Sequence, residues 1–181
     1  MQQHLHSAGK LFAGPSAPPD DNTAFAATQA AWRFLHNERI TLPLLAEPLR
    51  EVARQWRHEN PTAWALVIHD WSFLNYSTHT RKPDRQSHGA AHSRGYHLGT
   101  LLLVDGRQGD PVVPVEMELR TAEGIASTRP TPPDADASRL ANVWPGMQAL
   151  DRCQLGEQVI HVIDREADSL VCYREWQADR R

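Results

Sequence analysis

The order of hydrophobic and polar positions along the chain predicts a mixed α/β protein. Two early segments have apolar residues at helical spacing, 23 to about 35 and 42–56. Continuous apolar runs and turn signals then predict four strands, with a helix between the third and the fourth. The predicted strands cover 63–70, 95–104, 111–119 and 158–164, and the predicted helix covers 138–152. The prolines of the third strand predict a sheet edge or a bulge there.

Composition along the chain divides it into three predicted parts. Residues 1–22 contain a stretch rich in Gly, Pro, Ser and Asp. Such a stretch cannot bury enough apolar surface to offset its ordering entropy, so we expect a disordered arm. Residues 23–60 form a predicted N-terminal helical region, and residues 61–181 contain all the predicted strands.

Overall composition and charge exclude several classes of protein. The 181 residues are 40% hydrophobic and 23% charged, which is ordinary globular usage and excludes collagen-like and coiled-coil chains. There are 19 Lys and Arg against 22 Asp and Glu, so the chain lacks the overall positive charge of a dedicated nucleic-acid binder. Its two cysteines predict neither a zinc site nor a disulfide framework. With no apolar run near the roughly 18 residues that span a bilayer, we expect a cytoplasmic protein without membrane contact.

Two aspartates, Asp70 and Asp164, each close an apolar predicted strand. In α/β proteins, ligand sites form where strands end at the edge of the sheet. If the two strands are neighbours, the carboxylates repel each other unless a divalent cation neutralises them, and oxygen ligands select Mg²⁺ or Mn²⁺. Such a pair is suited to phosphoryl transfer on a nucleic-acid backbone. The alternative for Asp164 is that it only caps the following helix.

The most basic stretch of the chain lies between the first and second predicted strands, over residues 80–94. Its candidate DNA contacts are Arg81, Lys82, Arg85 and Arg94. Two interpretations remain for this loop. It either binds phosphates of nucleic acid or is simply a solvated, charged loop.

The segments around both aspartates resemble the DDE transposases of bacterial cut-and-paste insertion sequences, specifically insertion-sequence family four. The most specific match is residues 159–168, where the string Asp-Arg-Glu-Ala-Asp follows an apolar strand. A second match is residues 66–76, where the family has an apolar strand, the first catalytic Asp, two small polar residues and Leu-x-Tyr. Here Trp71 replaces one of the small residues. The resemblance covers residues 23–176 in the same order.

The resemblance implies a partial RNase H-like mixed sheet, built from a strand, a hairpin, a helix and a strand. It implies that Asp70 and Asp164 are catalytic and are the first two metal ligands of an Asp-Asp-Glu triad that uses Mg²⁺ or Mn²⁺. The substrate would be transposon-end DNA, which such enzymes cleave and then join to a target.

No third acidic ligand is assigned. In the family, that residue lies on a downstream helix with spaced Tyr, Arg and Lys, whereas Tyr173, Arg174 and Glu175 are contiguous. We therefore expect a truncated transposase that is weak or inactive alone.

Two alternatives belong to other classes of protein. One is a non-catalytic interaction protein that modulates a full-length transposase by forming mixed oligomers, or that forms a homo-oligomer. The other is a stand-alone metal-dependent nuclease. A nuclease needs a third carboxylate, for which Glu118 and Asp105 are the first candidates.

Overall fold

The structure is a computed structural model that describes residues 29–89, 92–134, 141, 143–164, 173–174 and 177. The chain forms two compact units, Met1–Thr41 and Leu42–Arg181. In the first unit, residues 29–35 are helical, and the ring of Trp32 stacks on that of His36 with centroids 4.2 Å apart. The predicted arm and the start of the first predicted helix lie outside the described residues.

The second unit, called the sheet unit below, contains the helices and strands of a mixed α/β fold, as the sequence predicts. Helix α1 is Leu42–Glu59, and helix α2 is Val143–Ala149, which continues into a 3-10 turn over Leu150–Cys153. The strands are β1 Ala65–Asn75, β2 Gln86–Ser87, β3 Arg94–Asp105, β4 Pro111–Thr121, β5 Gly124–Ser127 and β6 Val159–Ile163.

The strands form one six-stranded mixed sheet in the order β5-β4-β3-β1-β6, with β2 paired to β3. The pairs among β1, β3, β4 and β5 are antiparallel, whereas β6 lies parallel to β1. The long connection between the parallel strands β1 and β6 contains the antiparallel strands and then α2. The sequence did not predict β2 and β5, because runs of two and four residues are too short to show a period.

Strand β1 does not end at Asp70, contrary to the sequence prediction. It continues to Asn75, which pairs with Gly95 of β3. The parallel pairing with β6 does stop near Asp70, since its last pair is His69 with Ile163. The end of the apolar run thus marks the end of the parallel ladder, while β-forming residues such as Trp71 and Phe73 extend the antiparallel one.

The prolines of β4 lie at a bulge and at a sheet edge, the two features that the sequence predicts. The register between β3 and β4 shifts between Leu101 and Leu102 and again between Leu103 and Val104, opposite Pro114 and Pro111. Strand β5 pairs only with residues 118–121 of β4, so among the described strands the part of β4 that carries both prolines also lies at an edge of the sheet. The bulge accommodates residues that lack a backbone N–H to donate.

Helix α1 covers one face of the sheet and encloses the core. Its buried Ala46 and Ala53 allow a close approach, and Leu49 and Trp56 pack beside them. The strand side of this core includes Val67, Leu103, Val113 and Val115. Pro48 is tolerated inside the helix.

Three arginines of α1 tie the helix to connections around the sheet. Arg50 Nη2 donates to the carbonyl of Thr128 at 2.6 Å, and Arg54 Nη1 donates to that of Arg152 at 3.0 Å. Arg57 donates to the carbonyls of Ala63 and Gln158, which precede β1 and β6, at 2.9 and 3.2 Å. The guanidinium of Arg57 therefore binds both segments that lead into the parallel pair. This helps to fix the register of β1 against β6.

The indole of Trp71 lies across Gly99, its partner on β3. A Cβ at Gly99 would lie 2.7 Å from Cη2 of Trp71, which is closer than carbon atoms approach each other. Gly99 therefore provides the flat surface on which the ring rests.

We expect Gly99→Ala to destabilise the protein by about 1–3 kcal/mol, because the added methyl group overpacks the contact with Trp71. The free energy of unfolding is measured by urea denaturation for Gly99→Ala, Trp71→Ala and the double variant. In the Trp71→Ala background the cost of Gly99→Ala should be much smaller. Strictly additive effects would contradict a clash between these two positions.

Candidate metal centre

The parallel ladder between β1 and β6 brings Asp70 and Asp164 to adjacent positions. Its last pair is His69 with Ile163, and the next residue on each chain is one of these aspartates. Neighbouring strands are separated by about 4.8 Å. The expected proximity of the two strands is confirmed, and we refer to Asp70 and Asp164 as the carboxylate pair.

The carboxylate pair lies on the face of the sheet opposite α1. Side chains alternate between the two faces of a strand, and along β1 the buried Val67 and His69 alternate with the exposed Asp70. Ser72 shares the face of Asp70, and its Oγ donates a hydrogen bond to Asp70 Oδ2 at 2.7 Å. Both aspartates are exposed to solvent.

An apolar strip leads to the carboxylate pair on the same face. It consists of Leu66 and Ile68 of β1 with Ile160 and Val162 of β6. Ile160 is 44% and Val162 42% exposed, while the β1 residues are half-buried. Among the described strands, β6 pairs with β1 alone, so this strip extends to the edge of the sheet.

Neither carboxylate considered for a third ligand can complete the pair. Glu118 pairs with Gly99, opposite Trp71, and therefore lies on the other face of the sheet, where it is buried beside Arg120. Asp105 pairs with Ala65, five residues before Asp70 and so about 17 Å away along the strand. The interpretation as a stand-alone nuclease that uses Glu118 or Asp105 is wrong.

A cluster of buried charges occupies the α1 side of the sheet behind the carboxylate pair. Glu116 forms an ion pair with Arg129, and Arg120 Nε donates to Glu118 Oε1 at 2.9 Å. All four side chains are less than a tenth exposed. Burial raises the pKa of Glu116, and the neighbouring Arg129 opposes that shift.

Two histidines extend this cluster across the sheet. His69 Nε2 and His161 Nδ1 are 2.9 Å apart and share a hydrogen bond. Burial, together with the nearby His161 and Arg129, lowers the pKa of His69 to about 3, and burial also lowers that of His161. Both rings are therefore neutral at pH 7, with one donating to the other. A cavity of about 20 Å³ beside His69, Glu116 and Glu118 has room for about one water molecule.

The residues that sequence reasoning missed had a visible signal. Glu116, Glu118 and Arg120 alternate with apolar residues along a predicted strand, which places all three on one face. Ser72 follows Asp70 by two residues and shares its face for the same reason. The position of Ser72 on this face is not visible when β1 is assumed to end at Asp70.

Trp71 departs from the family pattern without touching the carboxylate pair. It points to the opposite face from Asp70, where the guanidinium of Arg120 lies 5.3 Å from the centre of its ring. This residue extends the buried cluster and leaves the exposed face unchanged.

The basic loop between β1 and β3 is held in place by its own side chains. Arg85 Nε donates to the carbonyl of Lys82 at 2.7 Å, and Arg85 Nη1 donates to those of Tyr76 and Ser77 at 2.8 and 3.1 Å. The ammonium group of Lys82 lies 5.5 Å from the ring centre of Tyr76. Arg85 thus stabilises the loop, whereas Arg81 and Arg94 are exposed.

The part of the chain that the structure describes contains neither a cluster of metal-binding side chains nor a membrane-spanning helix. No group there of three or more His, Cys, Asp and Glu side chains could hold a metal ion. No helix there is long and apolar enough to cross a membrane.

Comparison with known proteins leaves the resemblance a prediction. Neither a scan against protein-family models nor a search of curated proteins finds a match to the chain. The roles of Asp70, Asp164 and the basic loop therefore depend on the sequence motifs and on the geometry above.

A buried tyrosine reports on the anchoring of the basic loop. Tyr96 OH donates to Asp84 Oδ1 at 2.7 Å, and this hydrogen bond, followed by burial, raises the pKa of Tyr96 to about 12. We expect an absorbance titration to find one tyrosine that ionises near pH 12. Asp84→Ala should move this pKa toward its usual value near 10.

The raised pKa of Tyr96 also determines how its contribution to folding stability depends on pH. Because the pKa of Tyr96 is higher in the folded chain, its contribution is complete below pH 10 and is lost as the pH rises toward 12. Asp110→Ala, which removes an exposed aspartate at the β3–β4 turn, is the control and should leave the titration unchanged. A Tyr96 pKa that does not respond to Asp84→Ala would contradict this anchoring.

Proposed function

We propose that the chain is a partial DDE transposase catalytic domain, in which Asp70 and Asp164 bind Mg²⁺ or Mn²⁺ for phosphoryl transfer on transposon-end DNA. The observation that carries this proposal is the register of β1 and β6, which places Asp70 of β1 beside Asp164, the residue that follows β6. The Asp-Arg-Glu-Ala-Asp string from Asp164 to Asp168 supports the same assignment.

The arrangement of the sheet supports an RNase H-like fold. Three antiparallel strands, β4, β3 and β1, are followed across the sheet by the parallel strand β6. The resemblance implies an RNase H-like sheet with Asp70 and Asp164 as metal ligands, and β1 and β6, which bring these two residues together, are the parallel pair of this sheet. The bulged β4 and the short β5 extend the sheet on the side away from the carboxylate pair.

The donor set fits a hard divalent cation. Mg²⁺ prefers oxygen ligands and is commonly held by one or two carboxylates, with water and substrate phosphate completing its coordination. The carboxylate pair supplies two such side chains on an exposed face that a large substrate can reach. When bound, the cation would lower the pKa of an attacking water or hydroxyl and stabilise the leaving oxygen. The protein itself would fix the position of the cation against the DNA backbone.

We expect the 181 residues alone to cleave DNA weakly or not at all. The two considered donors, Glu118 and Asp105, lie on the wrong face and at the wrong end of β1. A two-metal site that lacks one of three acidic ligands loses both affinity and geometry. The proposed activity therefore requires a third carboxylate from outside the described residues.

DNA contacts are proposed at the loop beyond the far end of β1. Arg81 and Arg94 are exposed there, and Lys82 lies over the tyrosine rings. Because Arg85 already orders the loop, binding would cost little additional backbone entropy. Phosphate contacts of this kind fix the position of DNA without reading its sequence.

A second candidate function is a non-catalytic interaction protein that forms homo-oligomers or mixed oligomers with a full-length transposase. The observation that favours it is the apolar strip on β6, where Ile160 and Val162 are both more than two-fifths exposed. Among the described strands β6 is an edge strand, and an edge strand with exposed apolar side chains is suited to association with another chain.

The proposed metal function is tested by calorimetric titration with Mn²⁺. We expect Asp70→Asn and Asp164→Asn each to weaken binding by at least about tenfold, which is the size of effect that even outer-shell partners of a metal have. Asp110→Asn is the matched control at an exposed aspartate. Identical heats for all four proteins would contradict the metal function and would favour the interaction protein.

The proposed DNA contacts are tested by fluorescence anisotropy with a 20-base-pair duplex (about two helical turns) in EDTA, so that metal binding does not enter. The slope of log K against log [salt] falls by about 0.9 for each lost phosphate contact. We expect the double variant Arg81→Gln/Arg94→Gln to reduce it by about 1.8, and Arg152→Gln, an exposed control, to leave it unchanged. An unaltered slope in the double variant would identify a merely solvated loop.

A further inference from the structure

A serine hydroxyl contacts the carboxylate pair from the second of the two small polar positions that follow the first aspartate in the family pattern. Ser72 Oγ donates to Asp70 Oδ2 at 2.7 Å, and both side chains lie on the exposed face of β1. A hydrogen bond to a carboxylate is stronger than one between neutral groups, because the acceptor is charged. It therefore restricts rotation of the Asp70 side chain.

The backbone of Ser72 is fixed, so the direction of this hydrogen bond is set before any cation binds. Ser72 pairs with Leu98 inside the antiparallel ladder of β1 and β3, which continues to Asn75. Had β1 ended at Asp70, Ser72 would lie in a loop. A donor on a paired strand is a more rigid support for a ligand than a donor on a loop.

We propose that Ser72 is a positioning residue of the metal site: its hydroxyl holds Oδ2 of Asp70 and leaves Oδ1 for the cation. This inference rests on the proposed metal function of the carboxylate pair. Ser72 would act through Asp70, to which it donates its hydrogen bond, and is not itself proposed as a ligand of the cation. The hydroxyl thus reduces the number of carboxylate orientations from which the cation has to select.

The test compares Mn²⁺ affinities of variants at position 72, with free Mn²⁺ quantified by electron paramagnetic resonance. Ser72→Thr keeps the hydroxyl and Ser72→Val replaces it with a methyl group, while both are β-branched residues that suit a strand. We expect Ser72→Val and Ser72→Ala to weaken Mn²⁺ binding about 10- to 100-fold. Ser72→Thr should stay within about threefold of the parent, because its hydroxyl can make the same bond.

A control separates positioning from general damage to the strand. Ser87→Ala removes an exposed hydroxyl from β2 and should leave Mn²⁺ affinity unchanged. Melting temperatures in EDTA should be the same for the Thr and Val variants, since the two side chains have nearly the same shape. A loss of affinity shared equally by Thr and Val would overturn the inference, because the hydroxyl would then have no part in it.

The outcome for Asp70→Asn separates this inference from the proposed function. If Asp70→Asn weakens binding and Ser72→Val does not, the metal site stands and the role of Ser72 is wrong. If Asp70→Asn leaves the affinity unchanged, the proposed metal function fails, and the inference about Ser72 fails with it. Weakened binding in Asp70→Asn, Ser72→Ala and Ser72→Val, with rescue by Thr, supports both.

Discussion

The parallel pairing of β1 with β6 is the constraint on which the rest of the arrangement depends. This pairing is short and ends at His69 and Ile163. It aligns the two strands so that the next residue after each of these is an aspartate. Arg57 of α1 donates to the carbonyls just before each of these strands. A shift of one residue in this register would turn the side chains of β6 to the opposite faces and separate the carboxylates.

The sheet keeps two sets of charges apart by placing them on opposite faces. On the α1 side, glutamates and arginines neutralise each other in a dry environment, where an unpaired charge would be costly. On the other side, Asp70 and Asp164 remain in water, with Ser72 as hydrogen-bond partner of Asp70. Two like charges close together are tolerated there because water screens them. The burial of each face thus decides which carboxylates are structural and which are available.

The elements with long apolar runs or a clear helical spacing were predictable from the sequence. The extent of the strands around the candidate site was not. The apolar runs before Asp70 and Asp164 correctly indicated two strands, which are neighbours. They did not indicate that one face of β6 is exposed at Ile160 and Val162 or that β6 is the last described strand of the sheet. The continuation of β1 past Asp70 depends on pairing with β3, which is a long-range property, and the β-forming Trp71 and Phe73 at alternate positions were its local signal. The partner of Glu116 is likewise long-range, since Arg129 follows β5, whereas Glu118 pairs with Arg120 two residues along the same strand, so its partner was visible in the sequence. The extent of β5 follows from its partner strand and not from its own four residues.

The contact between Trp71 and Gly99 links two positions that are 28 residues apart in sequence. The small residue expected after the first aspartate would leave room above position 99 for a side chain, whereas an indole requires glycine there. The two positions are therefore not free to diverge independently. In descendants of a common ancestor, the loss of glycine at position 99 should follow, and not precede, the replacement of tryptophan at position 71. A steric contact on the α1 side of the sheet thus imposes an order on evolutionary change next to the proposed metal site.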